Sequence, residues 1–162
     1  MREAVTIARV RGIPIRVHFT FGLILVWVAA GWVTQPGRRV AGVLYDVTFV
    51  AAIFACVTLH ELGHSLVARH YGMRVRDITL LPIGGLARLE GGLTRPGQEV
   101  WMALAGPAVN VGLAVVLSGV TIPLLGWRAF GGIDQLLYRL NSPGPEKLLV
   151  NLLSANIGLT LF

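Results

Sequence analysis

Two histidines and a glutamate stand together in the five-residue segment His60-Glu61-Leu62-Gly63-His64. Because an α-helix turns once every ~3.6 residues, His60 and His64 would lie one turn apart on the same helix face. Two imidazoles at that spacing can bind one Zn²⁺, and Glu61 beside them can take a proton from a water that the metal polarises. The motif therefore predicts a zinc hydrolase site with His60 and His64 as metal ligands and Glu61 as the catalytic general base.

The surroundings of this motif are apolar. The segment from Val47 to Leu59 contains no polar residue apart from two threonines. Of the 162 residues, 54% are hydrophobic and 14% are charged, and the mean hydropathy is +0.69, whereas soluble domains carry about 25% charged residues. Ionisable side chains at membrane depth are costly and usually functional. We therefore expect a multi-pass protein of the cell membrane whose zinc site lies within the lipid bilayer.

The fold class that we expect is an all-α polytopic membrane protein with about four transmembrane helices and a small membrane-edge β-strand and loop element. The predicted spans are residues 19–34, 41–69, 99–125 and 146–162, the last one incomplete, within a single unit of residues 1–162. A turn at Gln35–Arg39 connects the first two spans, and a polar segment from Trp127 to Pro145 connects the last two. The second span carries the histidines in its C-terminal half.

Two further segments between and before the spans predict strands. Ile13, Ile15 and Val17 alternate with polar residues and proline, which is typical of a short strand ahead of the first span. The segment from Met73 to Pro96 is too charged to cross a membrane, although Ile78–Ile83 in its middle is apolar. We interpret it as a strand and loop at the membrane edge, with a plain interfacial loop as the alternative.

The third predicted span contains Gly106-Pro107-Ala108-Val109-Asn110. Pro107 removes one helix hydrogen bond and loosens the preceding turn, and Gly106 allows close helix packing. Asn110 is then a polar side chain inside a membrane helix, and it either bonds another helix or contacts the substrate or an oxyanion near the metal. Gly84 and Gly85 in the preceding loop would similarly allow an extended substrate to approach the backbone.

The net charge of +6 comes mainly from arginines scattered between the apolar segments. This scattering argues against a nucleic-acid partner and for contact with lipid headgroups. If both of the first two spans cross the membrane, nine basic residues lie on the side of the N-terminus and five on the other, which predicts a cytoplasmic N-terminus. The nine are Arg2, Arg9, Arg11, Arg16, Arg69, Arg74, Arg76, Arg88 and Arg95, and the five are Arg38, Arg39, Arg128, Arg139 and Lys147.

In the order of its motifs the chain resembles the site-2 protease family of intramembrane zinc metalloproteases, also called peptidase family M50. The resemblance covers essentially all 162 residues and rests on four segments: Gly12–His18, His60–His64, Ile83–Ala87 and Gly106–Asn110. It implies cleavage of the transmembrane segments of membrane-bound regulatory proteins, with Zn²⁺ as cofactor. It also implies that the Met73–Glu90 region can pair, as a membrane-edge strand, with an unwound substrate.

The chain departs from the family pattern at the third metal ligand. The family supplies an aspartate beyond the helix that starts here near Lys147, and no such residue occurs before Phe162. A catalytic zinc site normally takes three protein ligands, so we expect a truncated chain that is inactive by itself. Cys56, one turn before His60, could bind zinc but is more typical of a packing residue, and His70 would face elsewhere on the helix.

The sequence thus predicts a zinc-dependent intramembrane endopeptidase acting on transmembrane protein substrates. A catalytically inactive, protease-like membrane scaffold and a metal-binding membrane protein are the alternatives. The sequence does not specify the substrate or the oligomeric state.

Overall fold

The computed structural model describes residues 4–34, 40–92, 95–125 and 145–161. Within these ranges most residues are helical, and four strands form one small sheet. The elements in chain order are β1 Ala4–Val10, β2 Ile13–His18, α1 Phe21–Thr34, α2 Val40–His70, β3 Arg74–Leu81, β4 Gly84–Glu90, α3 Pro96–Leu125 and α4 Pro145–Leu159. The Gln35–Arg39 turn and nearly all of the Trp127–Pro145 connector that the sequence predicts lie outside the described residues.

The sheet has the order β1-β2-β3-β4 and joins two hairpins through one parallel pair. Strands β1 and β2 pair antiparallel, as do β3 and β4, whereas β2 and β3 run parallel with Ile15 opposite Ile78. A parallel pair needs a long crossover, and here α1 and α2 supply it. The predicted strand at Ile13–Val17 is confirmed as β2. The Met73–Pro96 segment forms two strands where we expected one strand and a loop, and β1 was not predicted.

The β1–β2 hairpin turns through two residues, Arg11 and Gly12, between the paired residues Val10 and Ile13. Both have positive φ, 47° at Arg11 and 84° at Gly12. Two consecutive residues with positive φ suit the right-handed twist of a two-residue hairpin. The guanidinium of Arg69, near the end of α2, donates a hydrogen bond to the Arg11 carbonyl. This contact ties the hairpin to the C-terminal end of the helix that carries the histidines.

The sheet packs on the C-terminal half of α2 through a small apolar core. Ile13, Leu62 and Ile78 are its buried centre, and Leu66 and Ala87 pack against them. Helix α2 stops beyond this contact because Gly72 adopts a left-handed conformation with φ of +87°. The Met73 N–H then bonds the Ala68 carbonyl at 3.1 Å, which closes the helix end. Strand β3 therefore starts directly beside the end of α2 and runs back along the helix.

Among the residues that the structure describes, two helices are long and apolar enough to cross a membrane, by length and composition: Gly42–His70 and Pro96–Leu124. Helices α1 and α4 have 14 and 15 residues, so four spans stay a prediction. Large apolar side chains point outward from α1 and α3; Trp27 is 77% exposed and Trp101 64%. Apolar surface on this scale is expected of a protein that faces lipid.

Helices α2 and α3 pack closely against each other at Gly63. A β-carbon added to Gly63 would lie 2.8 Å from both the Ala105 carbonyl oxygen and the Val109 side chain. A glycine at this crossing lets the two backbones come together, as is common between membrane helices. Helix α3 continues through Pro107 without a break in its helical assignment. The close crossing places the middle of α3 against the histidine-bearing turns of α2.

A buried ion cluster lies across three strands of the sheet. Asp77 on β3 is 2% exposed. Its carboxylate accepts a hydrogen bond from Arg88 Nε on β4 at 2.7 Å and another from the Arg88 amino group. Arg16 on β2 approaches the same carboxylate at 3.3 Å. Burial raises the pKa of Asp77, but the hydrogen bonds and charges of Arg88 and Arg16 outweigh burial and leave that pKa below its ordinary value.

Because the folded-state pKa of Asp77 is lowered, its contribution to stability is complete above the unfolded pKa of about 4 and is lost as pH falls through the folded value. Arg88→Met should lower the midpoint of thermal unfolding by several degrees at about pH 7, and the difference from the native protein should shrink toward about pH 3. The matched control is Arg76→Met, because Arg76 pairs with Glu90 at 3.7 Å on the exposed surface, where ion pairs contribute little. Equal effects of the two substitutions at neutral pH would contradict this account of the cluster.

Candidate metal and catalytic site

His60 and His64 point their Nε2 atoms toward one another across one turn of α2. The two Nε2 atoms are 3.0 Å apart, and the ring planes meet at 74° with their centroids 4.7 Å apart. This is the one-face arrangement that the spacing of the motif predicts. Both rings therefore offer the same nitrogen to a single point in space.

The opposite nitrogens of the two rings are held by helix α3. His64 Nδ1 lies 2.6 Å from the Met102 carbonyl oxygen, and His60 Nδ1 lies 2.8 Å from the Asn110 amide. A carbonyl can only accept, so the His64 Nδ1–H donates to it and Nε2 of His64 carries the lone pair. A second hydrogen bond of this kind is the usual way in which proteins orient metal-binding histidines.

Asn110 is fully buried, and its Oδ1 has no hydrogen-bond partner among the described residues. In the described orientation its Nδ2 faces His60 Nδ1, so His60 would carry its proton on Nε2. A half-turn of the amide, with the His60 proton on Nδ1, would place Oδ1 against that Nδ1–H. That orientation pairs the buried oxygen and frees the Nε2 lone pair of His60.

Gly106 on α3 lines the space in front of both Nε2 atoms. A β-carbon on this residue would collide with Nε2 of His60 and Nε2 of His64, and it would lie 2.6 Å from Cε1 of His64. The room that the missing side chain leaves is thus bounded by two convergent imidazole nitrogens. We had expected Gly106 to serve helix packing; its nearest neighbours are the histidines themselves.

These observations test whether the residues fit a zinc ion. Neutral imidazoles are good zinc ligands, and the pair meets that requirement once Asn110 turns toward His60. Within residues 4–34, 40–92, 95–125 and 145–161, no group of three His, Cys, Asp or Glu side chains is gathered as a metal site. The two histidines fit a metal ion as part of a ligand set. The third ligand that the family resemblance implies is not among the described residues.

Glu61 lies on the side of α2 that faces the sheet. The backbone N–H of Ala87 on β4 donates a hydrogen bond to its carboxylate. A β-carbon at Gly85 would collide with Glu61 Cγ, and it would lie 3.3 Å from the carboxylate carbon. Strand β4 therefore runs directly past the glutamate, and Gly85 permits that approach. Gly84, at the start of the strand, has φ of +141° and no neighbour within 4 Å of a β-carbon.

Strand β4 is an edge strand, bonded to β3 on one side only. Backbone groups of an edge strand alternate between its two sides. Since the Ala87 N–H points at Glu61, the unpaired side of β4 faces the motif on α2. An unpaired strand edge can serve as a template for an added strand. The structure thus brings an unpaired strand edge, a carboxylate and a histidine pair together.

Cys56, the other ligand that the sequence left open, is engaged differently. Its sulfur accepts a hydrogen bond from Asn156 Nδ2 on α4 at 3.3 Å. His70 and Tyr71 meet edge to face at the end of α2, with ring centroids 5.2 Å apart and ring planes at 66°. Within the described part of the chain, neither Cys56 nor His70 forms a group with His60 and His64 that could hold a metal ion.

Comparison with known proteins identifies the family of this fold and site. Residues 48–158 match the family model described as Peptidase family M50. A zinc metalloprotease of Methanocaldococcus jannaschii is 38% identical over 117 residues, which cover 72% of this chain. A Synechocystis sp. protein, whose name gives zinc metalloprotease as an inferred activity, is 35% identical over 84% of the chain. The chain belongs to peptidase family M50.

A solved structure agrees with this assignment. The site-2 protease from Methanocaldococcus jannaschii matches with a TM-score of 0.66 and 30% identity, over 98% of this chain and 63% of that chain. The matches cover 32% and 38% of the two curated relatives, so the chain spans about a third of their length. The resemblance that the sequence motifs predict is confirmed.

Proposed function

We propose that the chain is the core of a zinc-dependent intramembrane endopeptidase that cleaves transmembrane segments of membrane-bound regulatory proteins. The observation that carries this proposal is the convergence of His60 Nε2 and His64 Nε2, 3.0 Å apart, on the space beside Gly106. The names of the relatives, zinc metalloprotease and site-2 protease, support it. A multi-pass arrangement with a cytoplasmic N-terminus, predicted from the arginines, belongs to the same proposal.

His60 and His64 would hold the zinc ion, which supplies Lewis acidity for a carbonyl and acidifies water near neutral pH. With its amide turned so that Oδ1 accepts from the His60 Nδ1–H, Asn110 would keep His60 in the tautomer that carries its lone pair on Nε2. The Met102 carbonyl would do the same for His64. A direct contact of Asn110 with the substrate or an oxyanion stays a prediction. The Glu61 carboxylate would take the proton of the attacking water and pass it to the leaving nitrogen.

The substrate would bind along the outer edge of β4. A transmembrane helix must unwind before hydrolysis, because its amides are otherwise locked in helical hydrogen bonds. The edge of β4 beside Glu61 can accept an unwound segment as an added strand. Gly84 leaves open space beside the backbone of this strand, and Gly85 lets the strand approach the glutamate closely. These contacts support placing the scissile peptide between β4 and the histidines.

Metal removal tests this function. The full-length gene product, reconstituted in lipid vesicles with a transmembrane substrate, should cleave it. A zinc chelator should abolish the cleavage, and added Zn²⁺ should restore it. The effect should be at least about a hundredfold, because the metal supplies several kcal/mol of transition-state stabilisation. Cleavage that persists in metal-free protein would reject the proposal, and zinc binding without cleavage of any transmembrane substrate would favour the scaffold alternative.

A further inference from the structure

A second buried amide, that of Asn156, lies on α4. It contacts Cys56, which is one turn before His60 on α2. Asn156 is 0% exposed. Its Nδ2 donates two hydrogen bonds, to the Leu152 carbonyl at 2.8 Å and to the Cys56 sulfur at 3.3 Å. Turning the amide over would set its oxygen against the Leu152 carbonyl oxygen, and two acceptors repel. The orientation of this amide is therefore determined by its own contacts.

The oxygen of this amide is left without a partner. Asn156 Oδ1 has no hydrogen-bond donor among the described residues. Backbone N–H groups inside the neighbouring helices are already used in their own helical hydrogen bonds. An unpaired acceptor in an apolar helix bundle costs free energy, and buried polar atoms are otherwise paired with protein or with ordered water. Water is the smallest donor that can pair with a buried oxygen of this kind.

The same bundle offers further polar groups for that water. Cys56 and His60 are four residues apart on α2, so they lie one turn apart on one face. Asn156 contacts Cys56, and Asn110 contacts His60. Asn110 also keeps one amide atom unpaired, whichever way its amide is turned. Buried amides of α3 and α4 thus contact side chains on successive turns of α2, and each amide has one unpaired hydrogen-bonding atom.

We propose that Cys56, Asn156 and Asn110 form a binding site for ordered water next to His60 in the helix bundle. Water bonded to Asn156 Oδ1 satisfies the buried acceptor and hydrates the Cys56 thiol. The evidence for this water site is the hydrogen-bonding pattern of Asn156, Cys56 and Asn110, and it does not depend on the proposed function. Its further use, as a store of water for a hydrolytic reaction, rests on the proposed function.

Hydrogen exchange of the Cys56 thiol tests the water site. The S–H stretching band of Cys56 is identified in the infrared difference between the native protein and Cys56→Ser. After transfer of folded native protein in lipid nanodiscs from H₂O to D₂O, the S–H band should convert to S–D within minutes. Asn156→Leu, which removes the water-binding oxygen, should slow the conversion by about tenfold or more, since exchange then requires opening of the bundle.

The matched control is Asn151→Leu on the same helix. Asn151 donates to the Tyr45 hydroxyl at 2.8 Å, and no atom of Asn151 is a buried group without a partner. Its replacement should leave the Cys56 exchange rate unchanged. An S–H band that persists for hours in the native protein would overturn the proposal, as would equal rates in native and Asn156→Leu protein. The native measurement decides the question even if Asn156→Leu does not fold. Neither readout depends on zinc or on cleavage, so this test and that of the proposed function can fail separately.

Discussion

Replacing Glu61 with Gln in the full-length gene product is expected to abolish peptide-bond cleavage and to leave zinc binding intact. Glutamine has nearly the same size and can still accept a hydrogen bond from the Ala87 N–H, but it cannot take a proton from water. General-base catalysis contributes about 10²–10⁴-fold, so the turnover number should fall by at least about a hundredfold. Single-turnover cleavage of a transmembrane substrate in vesicles measures this fall.

The zinc content of the Glu61→Gln protein serves as the control. Because His60 and His64 would supply the ligating nitrogens and the introduced glutamine would keep the hydrogen bond from the Ala87 N–H, the Glu61→Gln substitution should not change the number of zinc ions bound. Substrate binding should be retained as well, since the edge of β4 is unaltered. Activity within a few-fold of the native value would remove Glu61 from the catalytic role, and loss of zinc would show that it helps to hold the metal.

Replacing Gly106 with Ala should remove zinc from an otherwise folded protein. The added methyl group would collide with Nε2 of both His60 and His64, so the rings would have to turn away from the point on which they converge. We expect zinc affinity to fall by at least about a hundredfold, at the upper end of what changes around metal ligands cause. Isothermal titration with Zn²⁺ on the purified protein in detergent measures it.

Gly112→Ala is the matched control for this substitution. Gly112 lies on the same helix, and a β-carbon there would meet nothing within 4 Å. Both replacements raise helix propensity equally, so a difference between them reports the contact with the histidines. Equal zinc affinity in the two variants would contradict the position that the structure gives to Gly106. Thermal unfolding of both variants separates loss of metal from loss of fold.

The proposed ligand pair and the proposed general base could be picked out from the sequence because their chemistry depends on side-chain type and spacing. His60, Glu61 and His64 are recognisable at once, and helical periodicity puts the two imidazoles on one face. The groups that orient them are harder to find. The Met102 carbonyl and the Ala87 N–H are backbone atoms, which every residue carries, so no residue type marks them. Asn110 was predicted to be a polar side chain inside a membrane helix. Its contact with His60 Nδ1 could not be predicted, because it depends on how α2 and α3 cross.

The sheet shows a different limit of sequence reasoning. Strand β2 alternates visibly, and it was predicted. In β1 most side chains are exposed on both faces, so no alternation of polar and apolar residues reveals it. The charges between Met73 and Pro96 led us to expect one strand and a loop, whereas the segment forms two strands. Four of these charges form pairs between the two strands: Asp77 with Arg88, and Arg76 with Glu90.

Elemental analysis of the purified protein tests the central claim most directly, namely that the two histidines of α2 bind a zinc ion inside a membrane bundle. The full-length gene product in detergent should contain about one zinc ion per chain, as a catalytic site of this kind requires. The His60→Ala and His64→Ala proteins should contain almost none. Absence of zinc from the native protein after incubation with Zn²⁺, or an unchanged zinc content in both variants, would contradict the account.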